Sequence, residues 1–276
     1  MSFLVDAHCH LNEEDYADAG EGLIQAFPSF GLLGAVVPGW DLASSEKALD
    51  LAHCHDRIFA CCGTHPHDSD SYSPEVESRY RAMAEDPKVV AMGEFGLDYH
   101  YMTQPKAVQQ AVFEAQLQLA SDLGLPAVVH CREAAEDALA IVRNFPDLKI
   151  LMHSFTDGPE AFAPFRDLGC YVSYGGILTF KNGEEVRAQA RISDPDRILM
   201  ETDGPYLSPV PRRGKLTKPW WAWYTLQVLA RTMDRNPRDL ADRVLANTMD
   251  FYDLEGALAP LKEATQPVDP CMELDF

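Results

Sequence analysis

Eight short apolar runs are spread along this chain, and most of them end in a histidine or a carboxylate. The first, residues 3–10, closes on His8 and His10; the fourth, 89–94, closes on Glu94. The fifth and sixth, 127–130 and 150–153, close on His130 and His153, and the eighth, 198–203, on Asp203. The runs are nearly continuous in Val, Ile, Leu and Ala rather than alternating, as in strands covered on both faces. They end near residues 10, 38, 65, 94, 130, 153, 175 and 203, and steps of about 30 residues leave room for one helix per strand.

Helical spacing fills the gaps. Between 105 and 121, Val108, Val112, Ala115 and Leu119 recur at four, three and four residues, with Pro105 placed for a first turn and Gly124 for a stop. Shorter helices are expected at 43–52, 133–143 and 184–190, and two more at 220–233 and 237–251. The pattern predicts an α/β fold, one (β/α)₈ TIM barrel over residues 1–255, with 256–276 a strap or tail.

In such a barrel every strand end opens on one mouth, so four imidazoles and two carboxylates converge there. His8, His10, Glu94, His130, His153 and Asp203 therefore read as a metal site. Six ligands exceed one tetrahedral ion with an open position and suit two. Mixed nitrogen and oxygen donors admit zinc or manganese, and magnesium if oxygen dominates. Two dications facing two carboxylates leave positive character, which favours an anionic substrate and an attacking hydroxide.

The net charge of −20 argues against coating nucleic acid through many phosphate contacts. No apolar run approaches the ~20 residues of a membrane span. No basic segment precedes the first strand, so no leader is expected and the cytoplasm is the expected compartment. Seven cysteines, an odd count with no C-x-x-C spacing and with Cys54, Cys61, Cys62, Cys131 and Cys170 in apolar or strand contexts, read as buried free thiols.

Six motifs carry a further likeness: DAHCHL from Asp6, GTHPH from Gly63, GEFGLDY from Gly93, VHCREA from Val129, HSFTDG from His153 and ETDGPYL from Glu201. Together, and in this order, they resemble the TatD-type metal-dependent hydrolases of the amidohydrolase superfamily, which include deoxyribonucleases. The resemblance implies two divalent cations, one on His8, His10 and Asp203, the other on His130 and His153, with Glu94 bridging. It implies that Asp203 takes a proton from the attacking water and that His65 and Arg132 meet the phosphate. Asp6 fits either a role orienting a ligand histidine or a strand-end cap; His67 reads as a loop residue.

The expected activity is hydrolysis of DNA or short oligonucleotides from their ends by a monomer. The alternative is attack on a small amide, lactone or ester, and a third reading is a metal-stabilised binding protein. The chain departs from the family pattern after the eighth strand, with Gly204 where Ala is usual and PRRGKLTKPW from Pro211 in place of an Arg-Asn-x-Pro stretch. Arg212, Arg213, Lys215 and Lys218 there suit either substrate phosphates or a solvated loop. Trp220, Trp221, Trp223 and Tyr224 are expected to pack a helix onto the barrel rather than to stack on bases.

Overall fold

The computed structural model describes residues 1–275, so Phe276, the end of the expected tail, lies outside them. Eight strands form one sheet in chain order: β1 (Leu4–Asp6), β2 (Leu32–Pro38), β3 (Ile58–Cys62), β4 (Val89–Asp98), β5 (Ala127–Arg132), β6 (Ile150–His153), β7 (Tyr171–Tyr174) and β8 (Ile198–Met200). Each pairs in parallel with the next. The ring closes where the Ala7 N–H donates to the Met200 carbonyl at 2.8 Å. This is the (β/α)₈ barrel.

Helices α1 (Gly20–Ala26), α2 (Leu42–Cys54), α3 (Pro74–Met83), α4 (Lys106–Leu123), α5 (Ala135–Val142), α6 (Pro159–Asp167) and α7 (Glu184–Ile192) connect successive strands. Then come α8 (Ala222–Thr232), α9 (Pro237–Tyr252) and α10 (Glu255–Leu258). Helix α4 stops as expected on Gly124, whose φ of 67° is left-handed. Inward side chains such as Val5, Leu33, Phe59, Val128, Leu151 and Leu199 fill the barrel. Met249, Phe251, Tyr252 and Leu258 plug its floor, and the Tyr252 hydroxyl donates to the Ala7 carbonyl at 2.9 Å.

The segment after α10 runs along the outer wall. Val268 pairs with Ser2 as an antiparallel bridge, and the Gln227 amide donates to the carbonyls of Pro270 and Met272. All seven cysteines are unpaired. Cys61, Cys62, Cys131 and Cys170 are buried, whereas Cys54 is exposed because it closes α2 on the outer shell. Among the described residues no helix is long and apolar enough to cross a membrane.

Candidate metal centre

The strands end earlier than the apolar runs, which changes how the histidines are placed. Strand β1 stops at Asp6 and β8 at Met200, so His8, His10 and Asp203 lie beyond the ladder rather than on it. Backbone bonds outside the sheet hold them: Cys9 N to Val36 O at 3.1 Å, His10 N to Gly204 O at 2.7 Å and Asp203 N to His8 O at 3.0 Å. Asp203 takes a φ of 56°, a left-handed conformation that Asp tolerates better than most residues. The two imidazoles still converge, with Nε2 atoms 3.3 Å apart.

Glu94 sits inside β4, not at its end. The pairing of β4 with β5 slips between Met92 and Phe95, and the Glu94 N–H turns to the Gly39 carbonyl at 2.9 Å. An irregularity of this kind re-aims a side chain. Gly93 makes it possible: with φ at +146°, a Cβ there would lie 2.7 Å from Val128.

The Glu94 carboxylate is the hub. Its Oε2 lies 2.7 Å from His8 Nε2, 3.4 Å from His153 Nε2 and 4.0 Å from His10 Nε2. Its Oε1 lies 3.3 Å from His65 Nε2 and 4.0 Å from His130 Nδ1. Asp203 Oδ1 adds contacts of 3.4 Å to His10 Nε2 and 3.9 Å to His8 Nε2. The rings of His8 and His153 stack at 3.8 Å. Despite these approaches, Glu94 Oε2 and His10 Nδ1 are buried without an aligned hydrogen bond. Lone pairs crowded together in this way fit a cation as their missing partner.

Two carboxylates absent from the predicted site stand behind these histidines. Glu201, fully buried, lies 3.2 Å from His153 Nδ1 and accepts from the Ser173 hydroxyl at 2.5 Å. Asp98 lies 3.1 Å from His130 Nε2 and 3.2 Å from His67 Nε2. Each turns the opposite ring nitrogen toward Glu94, the usual support for a metal-ligating imidazole. His67, read from the sequence as a loop residue, sits beside the cluster, its Nε2 facing Asp98 and its ring 4.4 Å from that of His65.

Asp6 touches no imidazole ring. Its carboxylate accepts from the backbone N–H of Thr202 at 2.9 Å and of His8 at 3.3 Å, and from the Thr202 hydroxyl at 2.5 Å. It clips β1 to the segment after β8, so the capping role holds.

Electrostatics keep Glu94 and Asp203 ionised. Burial works against charge on Glu94, yet His153 and His8 hold it well below the usual carboxylate range. Asp203, half-buried, is held down to about 2 by the bond to His10 and the charge of His153. Burial and neighbouring His130 push His65 well below its ordinary value. For His153 burial is outweighed by Glu201 and Glu94, which raise it to about 10.

A cleft of about 650 Å³ opens above the cluster, and Arg132 is its only Lys or Arg lining residue. The Arg132 guanidinium lies over the Tyr101 ring at 5.0 Å. The basic residues after β8 stay outside the cleft. Arg212 donates to the Tyr224 hydroxyl at 3.0 Å, Arg213 to the Ser208 carbonyl at 3.1 Å, and Lys218 lies over Trp220 at 5.4 Å. Three of that loop's four basic residues are thus tied to neighbouring groups. Trp220, Trp221, Trp223 and Tyr224 are buried, which is the packing role.

The sequence model of the TatD related DNase family matches residues 5–253. The metal-dependent hydrolase YcfH of Escherichia coli strain K12 is 40% identical over 228 residues, covering 79% of this chain and 83% of its own. The 3'-5' ssDNA/RNA exonuclease TatD of Enterobacter lignolyticus is 33% identical over 209 residues, 75% of this chain and 80% of its own. Among solved structures, the TatD homologue YJJV of Escherichia coli superposes with a TM-score of 0.82 at 24% identity, over 91% of this chain and 98% of that one.

Proposed function

Because this chain belongs to the TatD related DNase family and is a metal-dependent hydrolase, we propose that it cuts phosphodiester bonds at the ends of DNA or short oligonucleotides with two divalent cations. The observation that carries this reading is Glu94, a buried carboxylate approached by five imidazoles and lacking a hydrogen bond at Oε2. His8, His10 and Asp203 would hold one cation, His130 and His153 the other, with Glu94 shared; zinc, manganese and magnesium all suit the donors. When bound, such a pair activates water and neutralises the attacking and leaving oxygens of an in-line displacement at phosphorus.

The protein's own residues do the rest. Asp203 turns Oδ1 toward His10 and His8, which leaves Oδ2 to take the proton of the attacking water. Among the described residues no carboxylate lies within ion-pair distance of Arg132, so its guanidinium can meet the non-bridging oxygens together with His65 Nε2. We propose a monomer as the working unit, since these groups form the site without any residue of a second copy. The unpaired cysteines fit a reducing compartment such as the cytoplasm.

The test is a 3'-labelled oligonucleotide offered to chelated protein refilled with magnesium, manganese or zinc. The chelated form should be inert and at least one metal should restore cleavage. Glu94→Gln and Asp203→Asn should each lower kcat by roughly 10³-fold or more while melting normally. Turnover by the folded double variant, or activity confined to carbonyl esters, lactones or amides, overturns the reading.

A further inference from the structure

The chain has 13 Phe, 10 Tyr and 4 Trp, and among the described residues only two of these rings are exposed: Tyr101 at 59% and Tyr206 at 50%. Both line the cleft above the metal cluster. Tyr101 follows β4 and Tyr206 follows β8. Four strands apart in a ring of eight, they stand on opposite sides of the mouth. The other described aromatic rings are buried or half-buried, as the hydrophobic effect requires; here two flat rings face whatever enters.

The rings are exposed yet fastened. Arg132 lies over the Tyr101 ring at 5.0 Å, and His100 and His67 meet it edge-on at 4.8 and 5.4 Å. The Tyr101 N–H donates to Asp98 at 2.9 Å. The Tyr206 hydroxyl donates to Glu13 at 3.1 Å, its N–H bonds the Asp203 carbonyl at 3.1 Å, and its ring lies 6.4 Å from His10. Each platform is thus tied directly to the acid or imidazole cluster below it. A ring ordered before binding loses little freedom when a flat ligand lands on it.

Charge sets the need for such platforms. With a net charge of −20 and Arg132 as the cleft's only Lys or Arg, the chain has little electrostatic grip on a nucleic-acid backbone beyond the scissile phosphate. Stacking works without charge and accepts every base. Resting on the phosphodiesterase reading above, we propose that Tyr101 and Tyr206 receive the two bases flanking the scissile phosphate, one on each side of the mouth. The enzyme then selects ends whose bases are free to unstack. Paired bases remain on their own helical stack and cannot occupy both rings.

The experiment compares three substrates of equal length on the metal-loaded protein: a single strand, the same strand with its last two positions abasic, and a blunt duplex. For the wild type, kcat/KM on the base-bearing strand should exceed that on the abasic strand by roughly 30-fold or more, because two stacked bases are lost, mostly through KM, with the duplex also poor. Tyr101→Leu and Tyr206→Leu should each shrink the base-to-abasic ratio, and Tyr101→Phe and Tyr206→Phe should keep it. A wild-type ratio near one, or a ratio untouched in both Leu variants, overturns the proposal. Failure to cut any of the three substrates with any metal would instead overturn the phosphodiesterase reading. Anisotropy titration of metal-loaded Asp203→Asn with the first two strands then still decides the platforms, since equal affinity for both rejects them.

Discussion

His153 takes its direction from a carboxylate that does not face the cleft. Glu201 lies against Nδ1 at 3.2 Å and leaves Nε2 toward Glu94, an arrangement that selects one tautomer and raises ligand basicity. Glu201→Gln should therefore weaken metal binding by about 10- to 100-fold in a chelator competition, with the fold intact by circular dichroism. Unchanged affinity would show that the carboxylate is a structural buttress alone. At this scale the sequence was legible where a residue type announces its chemistry, as in the His8 and His10 pair. Glu201, two positions before Asp203, repeats that alternate spacing and offered a signal. Asp98 and His67 lie inside the GEFGLDY and GTHPH motifs, but their pairing was hidden, because it comes from lying 3.2 Å apart across a loop, and distance across a fold is not written in spacing.

Strand β4 shows what a whole element contributes. It is the longest strand, it carries Glu94 and Asp98, and it packs against β5, which carries His130. Gly96 lets the two strands touch: its φ is +150°, and an added Cβ would run into the His130 carbonyl. Gly96→Ala should cost about 3–5 kcal/mol, the range of severe backbone and packing defects, read as a large drop in the denaturant midpoint. A near-neutral substitution would mean that β4 can shift without consequence. The strands were readable because double-sided burial leaves uninterrupted apolar runs. Their ends were not, since His8 and Asp203 use backbone bonds beyond the ladder. Helix α3 escaped notice because only Tyr80 and Met83 of its ten residues are buried, too few to draw a stripe, and α6 carries Pro164 in its interior.

The molecule as a whole is acidic, with its cleft chemistry gathered at one end of the barrel. Substrate capture that relies on cations, stacking and a single arginine should depend weakly on ionic strength. Each phosphate neutralised by Lys or Arg contributes about −0.7 to the slope of log K against log salt on single strands. The slope for oligonucleotide 1/KM should accordingly be no steeper than about −2, and one near −5 would reveal a basic track that the surface does not show. The fold class was legible at this scale from recurrence of strand and helix alone. The tail's course over α8 was not, because its contacts are single pairings such as Ser2 with Val268 rather than a periodic face. The unpaired thiols have a practical use: of seven, only Cys54 and Cys271 reach solvent, so a maleimide dye goes to those two. Cys54→Ser leaves one fluorophore on the tail, whose tumbling reports directly whether that segment lets go of the barrel.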